Sequence, residues 1–220
     1  MSIAWSYSSL KTFEQCPRKY YHLKVAKDIK DGDTDATRYG TSMHTVAEEF
    51  IRDGVEIPAQ FSYLQPALEQ LKAIPGEKHC ELKLGLTEDL EPCGFFDKGV
   101  WWRGVADLVI IDKEKKLAYS VDYKTSKNAR YADIKQLDLV ATALFKYFPE
   151  VERIKSALMF VVSNEFVRAI HKPENINLYL EKPKQGVARI EAALENDVWN
   201  PISGPLCRFC PVKYCEHNRS

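Results

Sequence analysis

Four cysteines, one near the start of the chain and three near its end, limit the possible folds more than any other feature. Cys16 stands alone, whereas Cys207, Cys210 and Cys215 follow one another as C-x2-C-x4-C close to the C-terminus. A single disulfide does not explain three thiols spaced that tightly with a fourth so distant. A metal ion or an iron–sulfur cluster does, because it accepts four thiolates from separate segments. Such a site would join the N-terminal segment to the C-terminal tail.

The length and composition indicate one large domain, or a domain with a small appendage, in a reducing compartment. Of the 220 residues, 45% are hydrophobic, which is enough for a sizeable core. Positive and negative side chains balance at 31 each, which excludes a strongly basic coat but leaves room for a local basic groove. The N-terminus lacks the pattern of a secretory signal, and no apolar run approaches the roughly 18 residues of a membrane span. We therefore expect a cytoplasmic protein whose cysteines are free thiols or ligands.

Hydrophobic periodicity predicts an α/β core in which helices flank a mixed central sheet. The predicted helices cover residues 41–53, 61–73, 132–148 and 173–198, the last with a break near Pro183. The predicted strands cover residues 80–86, 102–111, 117–124, 154–162 and 166–170. A polar turn separates the second strand from the third, as in a hairpin.

The two ends of the chain are expected to carry the cysteines on short helical and irregular segments. Ser8 is a plausible N-cap, and Pro17 divides residues 8–25 into two helical pieces that meet near Cys16. Residues 28–37 are polar and are predicted to form a mobile loop. The expected architecture is one domain over residues 1–220, with a core at about 40–170 and cysteine-bearing segments at 8–25 and 201–217.

The predicted hairpin carries the candidate chemistry. Asp122 and Lys124 are two residues apart on a strand and therefore point to one face. If Asp112 pairs with Leu117, the same register places Asp107 opposite Asp122, with Cβ atoms about 5 Å apart. Two carboxylates that close repel unless a divalent cation lies between them, and Mg²⁺ prefers such oxygen ligands. The alternative is a solvated, salt-bridged hairpin, but an unpaired charge in the apolar strand around Asp107 would be costly.

Three further polar residues are candidates, each with a structural alternative. His44 lies on the first core helix and could equally be a satisfied structural histidine. Glu81 lies in the first strand and could be an exposed carboxylate, while Gln136 opens the long helix after Lys124 and carries little information alone. Candidates for base stacking, most of which should belong to the core, are Tyr20, Tyr21, Tyr39, Trp101 and Trp102. Local positive charge comes from Lys11, Arg18, Lys19, Lys24, Lys127 and Arg130.

Several short stretches, taken together and in order, resemble the RecB-type branch of the PD-(D/E)xK nuclease superfamily. They are S-S-L-K-T-F-E-Q-C-P-R-K-Y-Y at 8–21, G-T-S-M-H at 40–44, G-V-A-D at 104–107, D-Y-K-T at 122–125, Gln136 and the C-terminal cysteines. The likeness is strongest to the iron–sulfur members, such as CRISPR-adaptation exonucleases and AddB-like helicase–nuclease domains. It spans nearly the whole chain and implies a restriction-endonuclease-like core.

The resemblance also implies a role for each candidate residue. The implied ligands of Mg²⁺ or Mn²⁺ are His44, Asp107, Asp122 and the backbone carbonyl of Tyr123. Lys124 would orient or deprotonate the attacking water, Glu81 would assist as a nearby acid, and Gln136 would set the geometry or contact DNA. The implied ligands of a structural [4Fe–4S] cluster are Cys16, Cys207, Cys210 and Cys215.

Two departures from the family pattern leave alternatives open. Val140 stands where the family usually has a tyrosine four residues after the glutamine, which puts one DNA contact in question. The last cysteine spacing is short, so His217 is an alternative fourth ligand and a tetrahedral Zn²⁺ site is an alternative to the cluster.

The resulting prediction is a metal-dependent DNA nuclease, an exonuclease on single strands or duplex ends. Its setting would be DNA repair or recombination, with a helicase, recombinase or CRISPR-type partner. Two alternatives remain open. One is an inactive DNA-binding or partner-binding module of such a complex, and the other is a redox iron–sulfur protein.

Overall fold

The computed structural model describes residues 3–32, 34–126 and 128–219. Within these ranges the α-helices are α1 (Tyr7–Gln15), α2 (Pro17–Tyr20), α3 (Asp35–Asp53), α4 (Gln65–Ala73), α5 (Lys135–Tyr147) and α6 (Ile176–Asn196). The strands are β1 (Glu77–Leu86), β2 (Pro92–Cys93), β3 (Trp102–Asp112), β4 (Leu117–Lys124), β5 (Arg153–Phe160) and β6 (Glu165–His171). The chain divides into two compact units: unit 1 contains Met1–Thr34 and Glu181–Ser220, and unit 2 contains Asp35–Leu180.

Unit 2 is built on a six-stranded sheet in the order β2-β1-β3-β4-β5-β6. β4 and β5 run parallel, because α5 provides the crossover between them, and the other neighbours are antiparallel. The expectation of a mixed sheet flanked by helices is confirmed. Asp112 pairs with Leu117, as the hairpin pattern predicted, and the ladder between β3 and β4 ends at the pair of Leu108 with Val121.

Helices cover both faces of this sheet and explain why its polar residues lie where they do. α3 buries Met43, Ala47 and Ile51 in a core that includes Leu68 of α4 and Leu108 of β3. On the other side, Leu137 of α5 packs with Leu158 and Phe160 of β5. Each such side chain contributes roughly 1.5–3 kcal/mol by leaving water. The two layers therefore fix the first turns of α5 and the middle of α3 against the strands.

Unit 1 brings the N-terminal helices to the C-terminal tail. Cys16 lies between α1 and α2, with Pro17 at the start of α2, so the prediction of two helical pieces is confirmed. The cap of α1 is Ser6, which exchanges hydrogen bonds with Ser9, and not the predicted Ser8. Aromatic packing of Phe13, Tyr20 and Trp199, with ring centroids 5.5–6.5 Å apart, holds the two chain ends together.

Two element predictions were wrong. α3 begins at Asp35, inside the stretch predicted to be a loop, because an acidic first turn suits the helix dipole and Tyr39 packs on Phe61; residue 33 lies outside the described residues. α6 continues through Pro183, where a break was expected. Burial of Leu180, Val187 and Ile190 along that helix offsets the roughly 3 kcal/mol that an interior proline costs.

Smaller differences concern element ends and membrane topology. The predicted second helix starts as a 3-10 turn at Ala59–Leu64 before α4, because Pro66 in the first turn favours a new helix start there. The short strand β2 was not predicted. Among the helices of the described ranges, none is both long enough and apolar enough to cross a bilayer.

Candidate active site

The candidate site lies where β3 and β4 separate. Asp107 and Asp122 each stand one residue beyond the last paired position of the two strands. In place of a ladder bond, the Tyr123 backbone N–H donates to Asp107 Oδ2 at 2.8 Å. Both carboxylates are buried, with 9% of each residue exposed. The register therefore brings two acidic side chains together in a place that water barely reaches.

His44 and Glu81 complete a ligand group around Asp107. His44 Nδ1 lies 3.4 Å from Asp107 Oδ2 and 3.6 Å from Glu81 Oε1. The ligand atoms of these three residues all lie within 4.8 Å of one another, and among the described residues no other three histidine, cysteine or acidic side chains meet that spacing. One imidazole with carboxylate oxygens is a donor set that suits Mg²⁺ or Mn²⁺. The residues present therefore fit the divalent ion that the sequence implied.

Glu81 reaches this group through an unusual backbone. Its φ is +49°, a left-handed value that is rare for a side chain other than glycine, asparagine or aspartate. The neighbours Cys80 and Leu82 pair with β3 normally, whereas Glu81 itself, opposite Asp107, is skipped in the ladder. Such a conformation costs of the order of 1–3 kcal/mol and is typical of functional sites. Nothing in the sequence signals it, because a glutamate in a strand is expected to be extended.

A second polar group adjoins the first. Lys124 Nζ lies 2.6 Å from Asp122 Oδ2, although off the direction of a hydrogen bond, so that this buried oxygen has no hydrogen-bond donor among the described residues. Gln136, from the first turn of α5, donates from Nε2 to Asp122 Oδ1 at 2.6 Å and accepts from Lys124 Nζ at 3.1 Å. Asp122 thus keeps one oxygen, Oδ2, that a cation could bind. The Gln136 amide holds the other Asp122 oxygen and the Lys124 amine.

Charge repulsion and burial shift the protonation of the site. Burial raises the pKa of Asp107 to about 7, and the negative charge of Asp122 adds to that rise. Burial alone lowers the pKa of His44, but the hydrogen bond that His44 donates to Glu81 and the charge of Asp107 outweigh burial and raise the pKa. Without a cation, the pocket therefore holds protons near neutral pH that a divalent ion would displace.

The four predicted cluster cysteines meet around one cavity of unit 1. Cys16, Cys207, Cys210 and Cys215 line a cavity of about 340 Å³ together with His217. The Ile202 backbone N–H donates to Cys16 Sγ at 3.5 Å, and the Gly204 N–H donates to Cys207 Sγ at 3.3 Å. The thiols are not at the spacing of ligands on one ion, so the expected four-cysteine site is not formed as such. Residues 201–219, the described part of the tail, contain no strand or long helix that would hold the thiols closer.

The sequence placed other candidates less well. Tyr20, Trp101 and Trp102 are buried and belong to the core, whereas Tyr39 is exposed. Arg18 pairs with Glu216 at 2.6 Å, and Lys127 lies outside the described residues. The Tyr123 side chain is buried next to the His44 ring, and the role of its carbonyl stays a prediction.

The sequence analysis missed a buried polar network beside the site. His171 Nε2 lies 2.9 Å from Asp138 Oδ1, and His171 Nδ1 lies 3.2 Å from Ser156 Oγ. Asp138 follows Gln136 by two residues, so the network anchors the first turn of α5 to β5 and β6. No periodicity or motif marks these residues, because they meet only through the sheet order.

Comparison with known proteins supports this fold. A model of the PD-(D/E)XK nuclease superfamily matches residues 4–80, which include Cys16 and His44 but end before Glu81. A Eubacterium rectale protein that is provisionally named an exonuclease has a solved structure with a TM-score of 0.56 and 15% sequence identity, covering 98% of this chain and 88% of that one. The crystal structure of SSO0001 gives a TM-score of 0.45 and 13% identity over 99% of this chain and 88% of that one. No curated protein matches the sequence.

Proposed function

We propose that the chain is a metal-dependent DNA nuclease of the RecB type within the PD-(D/E)xK superfamily, acting as an exonuclease on single strands or duplex ends. The observation that carries this proposal is the ligand group of His44, Glu81 and Asp107, with Asp122 next to Asp107 across the hairpin register and Lys124 Nζ 2.6 Å from Asp122. The superfamily match over residues 4–80 and the shared fold support it. The helicase, recombinase or CRISPR-type partner and the cytoplasmic location stay predictions.

Each residue of the pocket has a separable task. A divalent ion held by His44, Glu81 and Asp107, with Asp122 as the further ligand that the sequence predicts, would polarise the scissile phosphate and lower the pKa of the attacking water. Lys124 presents an ammonium beside that position and offsets charge on the phosphate. Gln136 fixes this amine by accepting from it, and Asp122 is held in turn by the Gln136 amide. Glu81 adds a carboxylate to the same ligand group and can also orient water.

The test is cleavage of end-labelled DNA with Mg²⁺ or Mn²⁺ and with a chelator. Asp122→Ala or Lys124→Ala should lower the rate by at least about 10²-fold, because each removes an electrostatic contribution to the transition state. Asp112→Asn is the matched control, since Asp112 belongs to the same hairpin but pairs with Lys115. Wild-type cleavage by either pocket variant would remove the assignment. Metal-independent binding of DNA without cleavage by the unaltered protein would indicate the inactive binding module.

We further propose that the four cysteines hold a structural [4Fe–4S] cluster. Their common cavity and the backbone N–H groups that reach Cys16 and Cys207 support this, because hydrogen bonds to sulfur are typical of such clusters. A cluster also spaces its thiolates further apart than a single Zn²⁺ ion does, which suits thiols that lie too far apart for one ion. A brown protein with a broad visible band after anaerobic purification is expected. A colourless protein that contains zinc would favour the alternative.

A further inference from the structure

The end of the β1–β3 hairpin extends past the candidate site. β3 pairs with β4 only from Leu108 onward, whereas its residues 102–106 pair with β1 alone. We call residues 82–106 the arm. One edge of β3 in the arm is therefore without a neighbouring strand among the described residues, at the same point where Asp107 enters the metal pocket. The arm forms one wall of whatever space leads to that pocket.

The arm carries a cation and two aromatic rings. Arg103 shares a strand face with Asp107 and lies four residues from it, or about 13 Å along the strand. Its guanidinium group lies 5.4 Å from the ring centroid of Phe95 and 5.8 Å from that of Phe96. In the part of the chain that the structure describes, no carboxylate pairs with Arg103. Lys83, opposite Val105, is exposed on the neighbouring strand.

The rings are held in a tight turn. Phe96 is 77% exposed, more than any other large hydrophobic residue described. The Gly94 N–H donates to Asp97 Oδ2 at 2.7 Å, and a Cβ on Gly94 would come within 2.5 Å of Asp97 Oδ1, so a larger residue would displace the Asp97 carboxylate. The Tyr147 hydroxyl of α5 contacts the carbonyls of Gly85 and Cys93 at 3.1 and 2.9 Å, which fastens the arm to the helix. An exposed ring that is already ordered loses little entropy when it binds a flat ligand.

We propose that the arm is a binding site for a single nucleic-acid strand, in which Phe96 stacks on a base while Arg103 and Lys83 contact phosphates. The inference rests on the proposed function, because that function places a phosphodiester at Asp107. Cations combined with aromatic rings along a track are typical of sites that bind single strands without reading their sequence. Residues 82–106 contain four acidic and three basic side chains, so binding there depends on the positions of Arg103 and Lys83 and not on the net charge of the arm. The arm would hold the strand one or more nucleotides away from the scissile phosphate.

The experiment measures binding and cleavage separately. Binding of a fluorescent single-stranded oligonucleotide to the full chain is titrated in chelator, so that no hydrolysis occurs. Phe96→Ala should weaken binding about 5- to 100-fold, as for the loss of one stacked base. Arg103→Ala should weaken it and reduce the slope of log affinity against log salt by about 0.7. Phe96→Trp should restore binding.

The matched controls are Phe166→Ala and Arg168→Ala. This pair has the same contact, with the guanidinium 5.3 Å from the ring, but lies on β6 at the opposite edge of the sheet. Cleavage is then compared, with Mn²⁺, on the oligonucleotide and on a dinucleotide too short to reach the arm. The arm variants should lose rate on the oligonucleotide alone.

The outcomes separate this inference from the proposed function. Arm variants that bind the oligonucleotide as tightly as the β6 controls do would overturn the inference. Arm variants that lose as much cleavage rate on the dinucleotide as on the oligonucleotide would also overturn it, because this would indicate a general defect. Reduced binding by the arm variants, in a protein that cleaves neither substrate under any condition, would support the arm as a binding site while contradicting the nuclease assignment.

Discussion

The pocket of unit 2 and the cysteine cavity of unit 1 both collect metal-ligating residues from distant parts of the sequence, but to different degrees. In the pocket, the ligand atoms of His44, Glu81 and Asp107 stand at the spacing that one metal ion requires. In the cavity, the thiols line a common space without reaching that spacing. The pocket residues project from α3, β1 and β3, whereas three of the cysteines belong to a tail held by short turns.

The difference shows which part of the molecule fixes a site. A strand ladder or a packed helix determines the position of a side chain before any ligand binds, and here it even maintains the strained backbone of Glu81. The tail has only single-turn backbone bonds, such as those from Cys207 to Gly204 and from Cys210 to Cys207. A ligand bound there would itself supply much of the organisation, as structural metal sites commonly do.

The largest expected effects come from one substitution in the pocket and one in the cysteine cavity, which should each impair a different property of the protein. Asp107→Asn should lower DNA cleavage by at least about 10²-fold and leave the visible band of the protein intact, because it removes an electrostatic contribution in unit 2 alone. Cys210→Ser should remove the band and reduce solubility and DNA binding together. Iron content, absorbance and cleavage rate are measured on both variants. A Cys210→Ser protein that is colourless, stable and fully active would show that the cavity has no structural role.

The next largest expected effect is a pH dependence of folding stability that arises from the pocket. The folded-state pKa of Asp107, about 7, exceeds that of an unfolded aspartate, so the folded state binds the extra proton between about pH 4 and 7. Stability in chelator should therefore be highest near pH 4–5 within this window and fall as the pH rises through 7, by roughly 3 kcal/mol. The raised pKa of His44 acts in the same direction.

Urea unfolding between pH 4.5 and 8 measures this dependence. Asp107→Asn should flatten the curve, whereas Asp112→Asn should not, because Lys115 lowers the pKa of Asp112. Saturating Mn²⁺ should also flatten the curve of the unaltered protein, since the cation replaces the proton. An Asp107→Asn protein with the full pH dependence would assign the proton to another group.

The fold was largely predictable from local patterns. The predicted strand over residues 117–124 has the same first and last residues as β4. The hairpin register followed from one assumed pair, Asp112 with Leu117, which the structure confirms. The continuous helix through Pro183 was not predictable, because its stability comes from burial of residues such as Val187 that no local window reveals. Tertiary packing outweighed propensity there.

The candidate site was predictable only where it follows a strand. Two-residue spacing placed Asp122 beside Lys124, and the hairpin added Asp107. The backbone of Glu81 and the link from His171 to Asp138 depend on neighbours in the sheet and have no sequence signal. The exposure of Phe96 was not predictable, because a phenylalanine is expected in the core, whereas the stacking candidates Trp101 and Trp102 are themselves core residues.

The smallest expected effect is a difference in amide exchange between the two sites. Adding a chelator should leave exchange at the ends of β3 and β4 nearly unchanged, because ladder bonds and the bond from Tyr123 to Asp107 involve protein groups alone. Removing bound iron or zinc should raise exchange in residues 201–217 by about tenfold or more, since short turns protect amides weakly. Hydrogen–deuterium exchange before and after each treatment measures both. Unchanged exchange in the tail would mean that aromatic packing of Trp199 with Tyr20 already orders it, and faster exchange at β3 and β4 in chelator would mean that the pocket also needs its ion to form.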